Sequence, residues 1–395
     1  VPDYARFRDA LGELPCPLAW LDLDALEANA RDLLRRAGGQ PVRLATKSLR
    51  CVPVLRHVQR MDARFGRLMC YHPLEAVWLA GQGFGDLLVA YPTVEPRWLD
   101  AVAGAVAEGA DIRLMTDGPE QLRAAQAAAE RAGTRLPVWM DLDCSTPLPG
   151  LWFGVQRSPL RGPADWDAYL AALEAADRLF LDGVMGYEAQ IAGVGDAVPG
   201  QAVRSALVRG LKAWSRPRVA ERRARLLEHL GRRGHRPRNV NAGGTGSLES
   251  SAAETVVTEV AAGSGLYGPL LFDAYRGFAP RPAAGFALRV ARVPQPGTVT
   301  CFGGGYVASG PAGPDKVPRP WLPEGLRLLP NEQAGEVQTP LRDPSGRLRP
   351  GDPVFFRHAK AGELCARFPE LQVLRGTERI GAWPTYRGEG PWLLG

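Results

Sequence analysis

The run Val42-Arg43-Leu44-Ala45-Thr46-Lys47-Ser48 is short, largely apolar and ends on a lysine. A lysine closing a buried strand either reaches solvent or is an amine held at the mouth of a site. In the second case desolvation and neighbouring cations favour its neutral, nucleophilic form, which can form a Schiff base with a carbonyl. Two glycine-rich segments lie far downstream, Asn241-Ala242-Gly243-Gly244-Thr245-Gly246-Ser247 and Gly263-Ser264-Gly265-Leu266-Tyr267-Gly268. Glycines let the backbone approach a ligand and turn its N–H groups inward, and a helix amino terminus after the first segment would favour an anion. Either segment alone reads equally well as an ordinary turn. No Walker Gly-Lys-Ser/Thr follows, and no dinucleotide Gly-x-Gly-x-x-Gly stands at the first strand. A reactive amine together with a monophosphate cradle suits pyridoxal 5′-phosphate, whose aldehyde needs an amine and whose phosphate needs an anchor. A Schiff-base aldolase acting on a sugar phosphate without a cofactor would use the same parts.

These residues need elements to hold them. Leu18-Ala19-Trp20-Leu21-Asp22-Leu23 reads as a leading strand, and Asp24 caps a helix carrying Leu26, Ala30, Leu33 and Leu34 on one face. Strand-like runs follow at 42–47, 67–71, 86–91, 112–116, 137–143, 180–187, 239–244 and 258–264, with helical patterns between them, among them 95–107, 118–132 and 201–233. Alternating strands and helices imply parallel pairing, and eight such strands predict an α/β fold with a closed (β/α)8 TIM-type barrel. An open doubly wound sheet is the alternative. In a barrel, chemistry gathers at the carboxyl ends of strands. Counting from 42–47, Lys47 ends the first strand, Asp141 and Asp143 the fifth, and Tyr187-Glu188-Ala189-Gln190 the sixth. The glycine segments end the seventh and eighth. The two aspartates and Tyr187 read equally as helix caps or rim contacts.

After Asp273 the helical periodicity disappears and short β-like runs are separated by Pro/Gly turns. This predicts a barrel over 18–275 followed by a C-terminal all-β domain over 276–395. Residues 1–17 form a polar lead-in packing near that domain, and the proline-rich piece 311–330 reads as a surface loop.

The 395 residues are 45% hydrophobic and 23% charged, ordinary for a soluble globular protein. No apolar run approaches the roughly 18 residues needed to span a bilayer. The start, Val1-Pro2-Asp3-Tyr4, has no signal-peptide pattern, so a cytoplasmic protein without membrane contact is expected. The net charge of +6 is spread thinly. Its densest stretch, 216–238, reads as a solvated helix and exit loop without the interleaved aromatics of a nucleic-acid surface. Six scattered cysteines argue for reduced thiols, and five histidines argue against a His-rich metal centre.

Taken in order, several segments carry a family resemblance. They are residues 20–29 (Trp-Leu-Asp-Leu-Asp-Ala-Leu-Glu-Ala-Asn), Arg43-Leu44-Ala45-Thr46-Lys47-Ser48, Pro73-Leu74-Glu75-Ala76, Gly243-Gly244-Thr245 and Gly265-Leu266-Tyr267. In the β domain they are Asn331-Glu332-Gln333-Ala334-Gly335, and Gly351-Asp352-Pro353-Val354 leading to His358. Over nearly its whole length the chain resembles the fold-type III pyridoxal-phosphate enzymes, the alanine-racemase-like barrels. Within them it is most similar to the D-threonine aldolase / D-serine dehydratase group, in the branch described as amino acid deaminase/aldolase. The resemblance implies that Lys47 is the Schiff-base lysine, that Gly243, Gly244, Thr245, Gly265 and Leu266 bind the phosphate, and that Tyr187 lies near the pyridine ring. Arg43, Gly263, Ser264 and Tyr267 complete the expected cofactor site. It further implies a head-to-tail homodimer in which each β domain covers the partner's barrel mouth.

The sequence departs from the family pattern in three places. Metal-dependent relatives carry His-x-Cys or His-x-Asp in the β domain, where this chain reads His358-Ala359-Lys360. A protonated lysine has no lone pair for a metal. No metal is therefore expected, although Glu363 and Cys365 stand nearby. Lys360 would hold the substrate hydroxyl or carboxylate electrostatically, or else be a solvated lysine. Second, an arginine that touches the cofactor's phenolic oxygen in relatives is missing from residues 144–150. Third, the family's Glu-His becomes Glu332-Gln333. The expected activity is that of a lyase on a D-configured 3-hydroxy amino acid, by retro-aldol cleavage or by dehydration to a 2-oxo acid. His358 would face the substrate hydroxyl (or be a structural histidine in a turn), with Lys360 polarising that hydroxyl. An amino acid racemase or epimerase and a catalytically inactive cofactor-binding protein are the alternatives.

Overall fold

The computed structural model describes residues 3–311 and 313–390. The first two residues of the expected lead-in, Ala312 of the proline-rich piece and 391–395 of the β domain lie outside the described residues.

A strand β1, Leu18–Asp22, is followed by β2 (Val42–Ala45), β3 (Leu68–Cys70), β4 (Leu87–Val89), β5 (Ile112–Thr116), β6 (Leu136–Asp141), β7 (Leu179–Gly186), β8 (Asn239–Ala242) and β9 (Glu259–Ala262). Strands β2 to β9 form a closed parallel barrel, sealed where Val42 pairs with Val260 and Leu44 with Ala262. The expected closed barrel is therefore present, and the open sheet is excluded. Strands such as Leu87-Leu88-Val89 are buried on both faces and accordingly apolar throughout. The helices Pro73–Gly81, Pro96–Ala107, Pro119–Ala132 and Pro163–Glu174 each open on proline, whose missing N–H and fixed φ suit a first helical turn.

The barrel interior is layered. At the amino ends of the strands lies an ionic floor. There Arg43 pairs with Glu259 at 2.6 Å and Asp86 at 2.8 Å, and Arg113 pairs with Asp182 at 2.8 Å. Above it pack Met69, Leu88, Met115, Trp139 and Met185. Gly183 makes room for Trp139, since a Cβ there would lie 2.2 Å from the indole. The carboxyl ends stay open.

The second unit is a nine-stranded sheet built from β10 (Ala284–Gln295), β11 (Thr298–Phe302), β12 (Arg319–Leu322), β13 (Arg327–Leu328), β14 (Gln338–Arg342), β15 (Pro353–Arg357), β16 (Glu370–Arg375), β17 (Glu378–Pro384) and β1. β1 runs antiparallel to β10 and parallel to β16, so the leading strand belongs to this sheet rather than to the barrel. Trp20 shows why: it stacks on Trp321 at 5.1 Å and meets Phe7 edge-on. Phe7 is buried on the helix Tyr4–Leu11, which the polar lead-in forms. The proline-rich piece is also more than a loop, because it contains β12 and β13. Pro320 is tolerated because β12 is an edge strand that, among the described residues, pairs only with β15. No helix among the described residues is long and apolar enough to cross a membrane.

Candidate active site

Where β2 ends, the chain makes a single 3₁₀ turn, Thr46–Ser48. Thr46 Oγ1 donates to Met69 O at 2.9 Å, and the N–H groups of Leu49 and Arg50 both donate to Thr46 O. Arg50 takes a left-handed φ of 46° to close the bend. Lys47 is left exposed at the barrel mouth, its Nζ 2.8 Å from Tyr91 Oη.

Two cavities meet at this amine. The inner one, about 710 Å³, is walled by Tyr91, Arg157, Tyr187, Asn241 and both glycine segments. Among the described residues its walls carry two cations, Lys47 and Arg157, and no carboxylate. The outer chamber, about 2120 Å³, opens between the barrel and the β domain and is lined by Arg50, Tyr306, Ser309, Lys360, Glu363 and Arg367. Lys47, Ser48, Tyr187 and Ser264 line both.

The glycine segments face each other. Thr245 Oγ1 lies 3.4 Å from Ser264 Oγ and accepts the Gly265 N–H at 3.2 Å. Among the described residues the N–H groups of Thr245, Gly246 and Ser264 meet no protein acceptor. A Cβ on Gly263 would lie 2.6 Å from Ala45 O, so only glycine allows this approach. The cradle is braced from behind. Glu188 Oε1 accepts the hydroxyls of Ser247 and Ser251 at 2.6 Å each, and its Oε2 accepts Gly243 N–H and pairs with Arg223. Arg223 also bonds Gly186 O and Glu254. The basic stretch 216–238, expected to be solvated, thus contributes a buried guanidinium because two carboxylates need it. The helix after the first segment, Leu248–Ala252, has only five residues. Attraction for an anion therefore comes from the free N–H groups, with little from a helix dipole.

The remaining expected residues are placed variously. Tyr187 stands on the inner wall, a Cβ on Gly244 being only 3.0 Å from its ring, and burial pushes its phenol up to about 12. Leu266 and Tyr267 are buried behind the loop. Leu266 O accepts from Asn29 at 3.0 Å, and Tyr267 Oη donates to Leu49 O at 3.0 Å. Arg43 is not on the cavity wall; it lies in the ionic floor, with its charge committed to Glu259 and Asp86. His358 lines neither cavity. Its Nδ1 meets Ala284 O at 3.1 Å and its Nε2 has no partner among the described residues, while burial and then Arg357 push its pKa down to about 3. Lys360 is on the outer wall and donates to Ser309 O at 3.0 Å, its pKa lowered by burial and by Lys316. Glu363 accepts Ser309 N–H, and Cys365 is buried against Tyr267.

Three site residues escaped the sequence reading. Tyr91 closes the 86–91 run, so the strand-end rule could have flagged it. Asn241 stood in the glycine segment without a role. Arg157 had no signal, since it lies sixteen residues beyond Asp141 in an irregular connection. Its Nε donates to Asp141 Oδ2 at 2.8 Å and its Nη2 to Ala90 O at 2.8 Å, and its guanidinium sits over Tyr91 and Tyr187. Burial raises Asp141 to about 6 against the pull of Arg157. The connection that carries no arginine at 144–150 thus brings Arg157 to the cavity wall further along.

The residues present fit a phosphate-bearing aldehyde: a lysine amine at the barrel mouth, unpaired N–H groups and hydroxyls across the cavity, and no carboxylate on the walls among the described residues. The chain is 28% identical over 255 residues to 3-hydroxy-D-aspartate aldolase of Paracoccus denitrificans, 64% of this chain and 60% of that protein. It is 27% identical over 270 residues to D-threonine aldolase of Arthrobacter sp, 67% and 64% respectively. It thus spans about three fifths of the length of the curated relatives it matches. Among solved structures, D-threonine aldolase from Filomicrobium marinum superposes with a TM-score of 0.80 at 20% identity, covering 96% of each chain. D-threo-3-hydroxyaspartate dehydratase from Delftia sp. HT23 gives 0.73 at 21%, covering 95% of this chain and 98% of that one. Residues 21–270, from the end of β1 through the whole barrel, match the family model described as alanine racemase, N-terminal domain, and to that family this chain belongs.

Proposed function

We propose that this protein is a pyridoxal 5′-phosphate-dependent lyase acting on D-configured 3-hydroxy amino acids. The observation that carries the reading is Lys47 just beyond the first barrel strand, facing the paired glycine loops across a cavity that, among the described residues, has two cations and no carboxylate. The names of the aligned relatives support the substrate class. Lys47 would hold the cofactor's aldehyde carbon, and the N–H groups of Thr245, Gly246 and Ser264 its phosphate. Tyr187 and Arg157 would flank its ring. When bound, the cofactor supplies an electron sink for the pair released as a bond to the substrate α-carbon breaks. Lys47 would also move a proton at that carbon. Lys360, on the outer wall, would polarise the substrate hydroxyl as an ammonium. His358, away from both walls and depressed to about 3, is given no role on the substrate.

Absorbance of the purified protein with pyridoxal 5′-phosphate tests the reading. A band near roughly 420 nm, expected for a lysine-bound cofactor, should appear in wild type and be lost in Lys47→Ala. Adding D-threonine or D-3-hydroxyaspartate should then release either glycine with an aldehyde or ammonia with a 2-oxo acid, and glycine against ammonia separates cleavage from dehydration. A protein that stays colourless with the cofactor would overturn the proposal.

A further inference from the structure

Tyr91 closes the strand run of β4, and its phenolic oxygen is the hydrogen-bond partner of Lys47 Nζ at 2.8 Å. The same amine lies 5.4 Å from the centroid of the Tyr91 ring, and the Arg157 guanidinium lies 5.2 Å from it. Arg157 is anchored by Asp141 and by Ala90 O, so its charge is fixed beside the phenol. The other titratable groups facing Tyr91 are Asp141, at the end of β6, and Tyr187, after β7. Burial alone would raise the phenol, but Lys47 and Arg157 together outweigh burial and Asp141 and draw it below its ordinary value. A tyrosine that merely filled the rim would need neither the contact with the amine nor the second cation.

We infer that Tyr91 is a catalytic residue: its oxygen takes the proton that the Lys47 ammonium must shed before the amine can attack an aldehyde carbon, and returns it when the amine is released. In this step the N–H bond of Lys47 breaks, the electron pair stays on nitrogen, and an O–H bond forms on Tyr91. Ammonium plus phenolate become amine plus phenol, so the pair keeps its total charge in this step, the phenol having first given its own proton to solvent. Arg157 stabilises the phenolate form. The inference rests on the reading of Lys47 as an aldehyde-trapping amine.

Two measurements on the full chain test it. The first is an ultraviolet difference titration of phenolate in the cofactor-free protein, comparing wild type, Tyr91→Phe and Lys47→Met. One phenolate should form in wild type below the ordinary tyrosine value of about 10. It should be absent from Tyr91→Phe and displaced to higher pH in Lys47→Met. The second is the rate at which the visible band grows after mixing with pyridoxal 5′-phosphate. Tyr91→Phe should be slower by about 10²-fold near neutrality and recover as the pH is raised. A difference titration that is the same with and without Tyr91, or a Tyr91→Phe capture rate with the wild-type pH profile, would overturn the inference. If wild type captures no cofactor, the proposed function fails, and the titration alone still decides whether Tyr91 shares the proton of Lys47.

Discussion

At the scale of single residues, burial and pairing separate the groups that face the cavity from those that only share its neighbourhood. Arg43 stands on β2 and Lys47 in the turn that follows it, yet Arg43 is spent in the floor while Lys47 reaches the mouth. Sequence alternation assigns a face, but not a depth along the barrel axis. Lys47 was legible because a strand-end lysine after an apolar run is uncommon. Arg157 was not, because the connection that carries it has no periodicity to count. Arg157 also holds Asp141, which is fully buried. Removing one partner of such a pair leaves the other charge uncompensated, at a cost of about 3 kcal/mol. Arg157→Ala should therefore lower stability by about that amount in denaturant titrations, and Asp141→Asn added to it should recover much of the loss. If the double variant is as unstable as the single one, the charge pair is not the cause.

At the scale of elements, the glycine loops are placed by what lies behind them. Their existence was readable as Gly243-Gly244-Thr245 and Gly263-Ser264-Gly265, whereas their brace was not, because Glu188, Arg223 and Glu254 come from three separate segments. Glu188→Gln keeps the shape but weakens the hold on Gly243, Ser247 and Ser251. It should raise the dissociation constant for pyridoxal 5′-phosphate by about tenfold, the worth of one charge-assisted hydrogen bond. Binding of pyridoxal, which lacks the phosphate, should scarcely change; equal losses for both would point to general damage. On the opposite loop, Gly263→Ala would press a methyl group against Ala45 O. Overpacking of this kind costs about 1–3 kcal/mol, and thermal unfolding of the variant should show that loss together with weaker cofactor retention.

At the scale of the whole molecule, the barrel and sheet are joined by a buried carboxyl. Glu75, on the helix Pro73–Gly81, accepts Tyr71 N–H at 2.7 Å and the hydroxyl of Tyr386, near the end of the chain, at 3.0 Å. Burial raises it from 4.5 to about 7, against the pull of its hydrogen bonds. Between those two values the unfolded chain releases a proton that the folded chain keeps, so Glu75 lowers stability as the pH rises from 4.5 to 7 and leaves it lowered above. Glu75→Gln should therefore gain on wild type over that window, by an amount on the order of 3 kcal/mol at most, visible as a difference in Tm that grows with pH. A difference independent of pH would assign the effect to packing. The two-unit architecture itself was legible, because periodicity changes from helical to strand-like near Asp273. The membership of β1 was not, since its partners lie far away in the chain. Leu18 pairs with Ala287 and Ala19 with Leu371. During synthesis, then, the barrel strands can all emerge while the first strand still waits for β10 and β16, both of which follow the whole barrel in the chain. Pairing of β1 therefore closes a loop of more than two hundred residues, so the contact that ties the start of the chain to the sheet is among its most non-local and slowest to form.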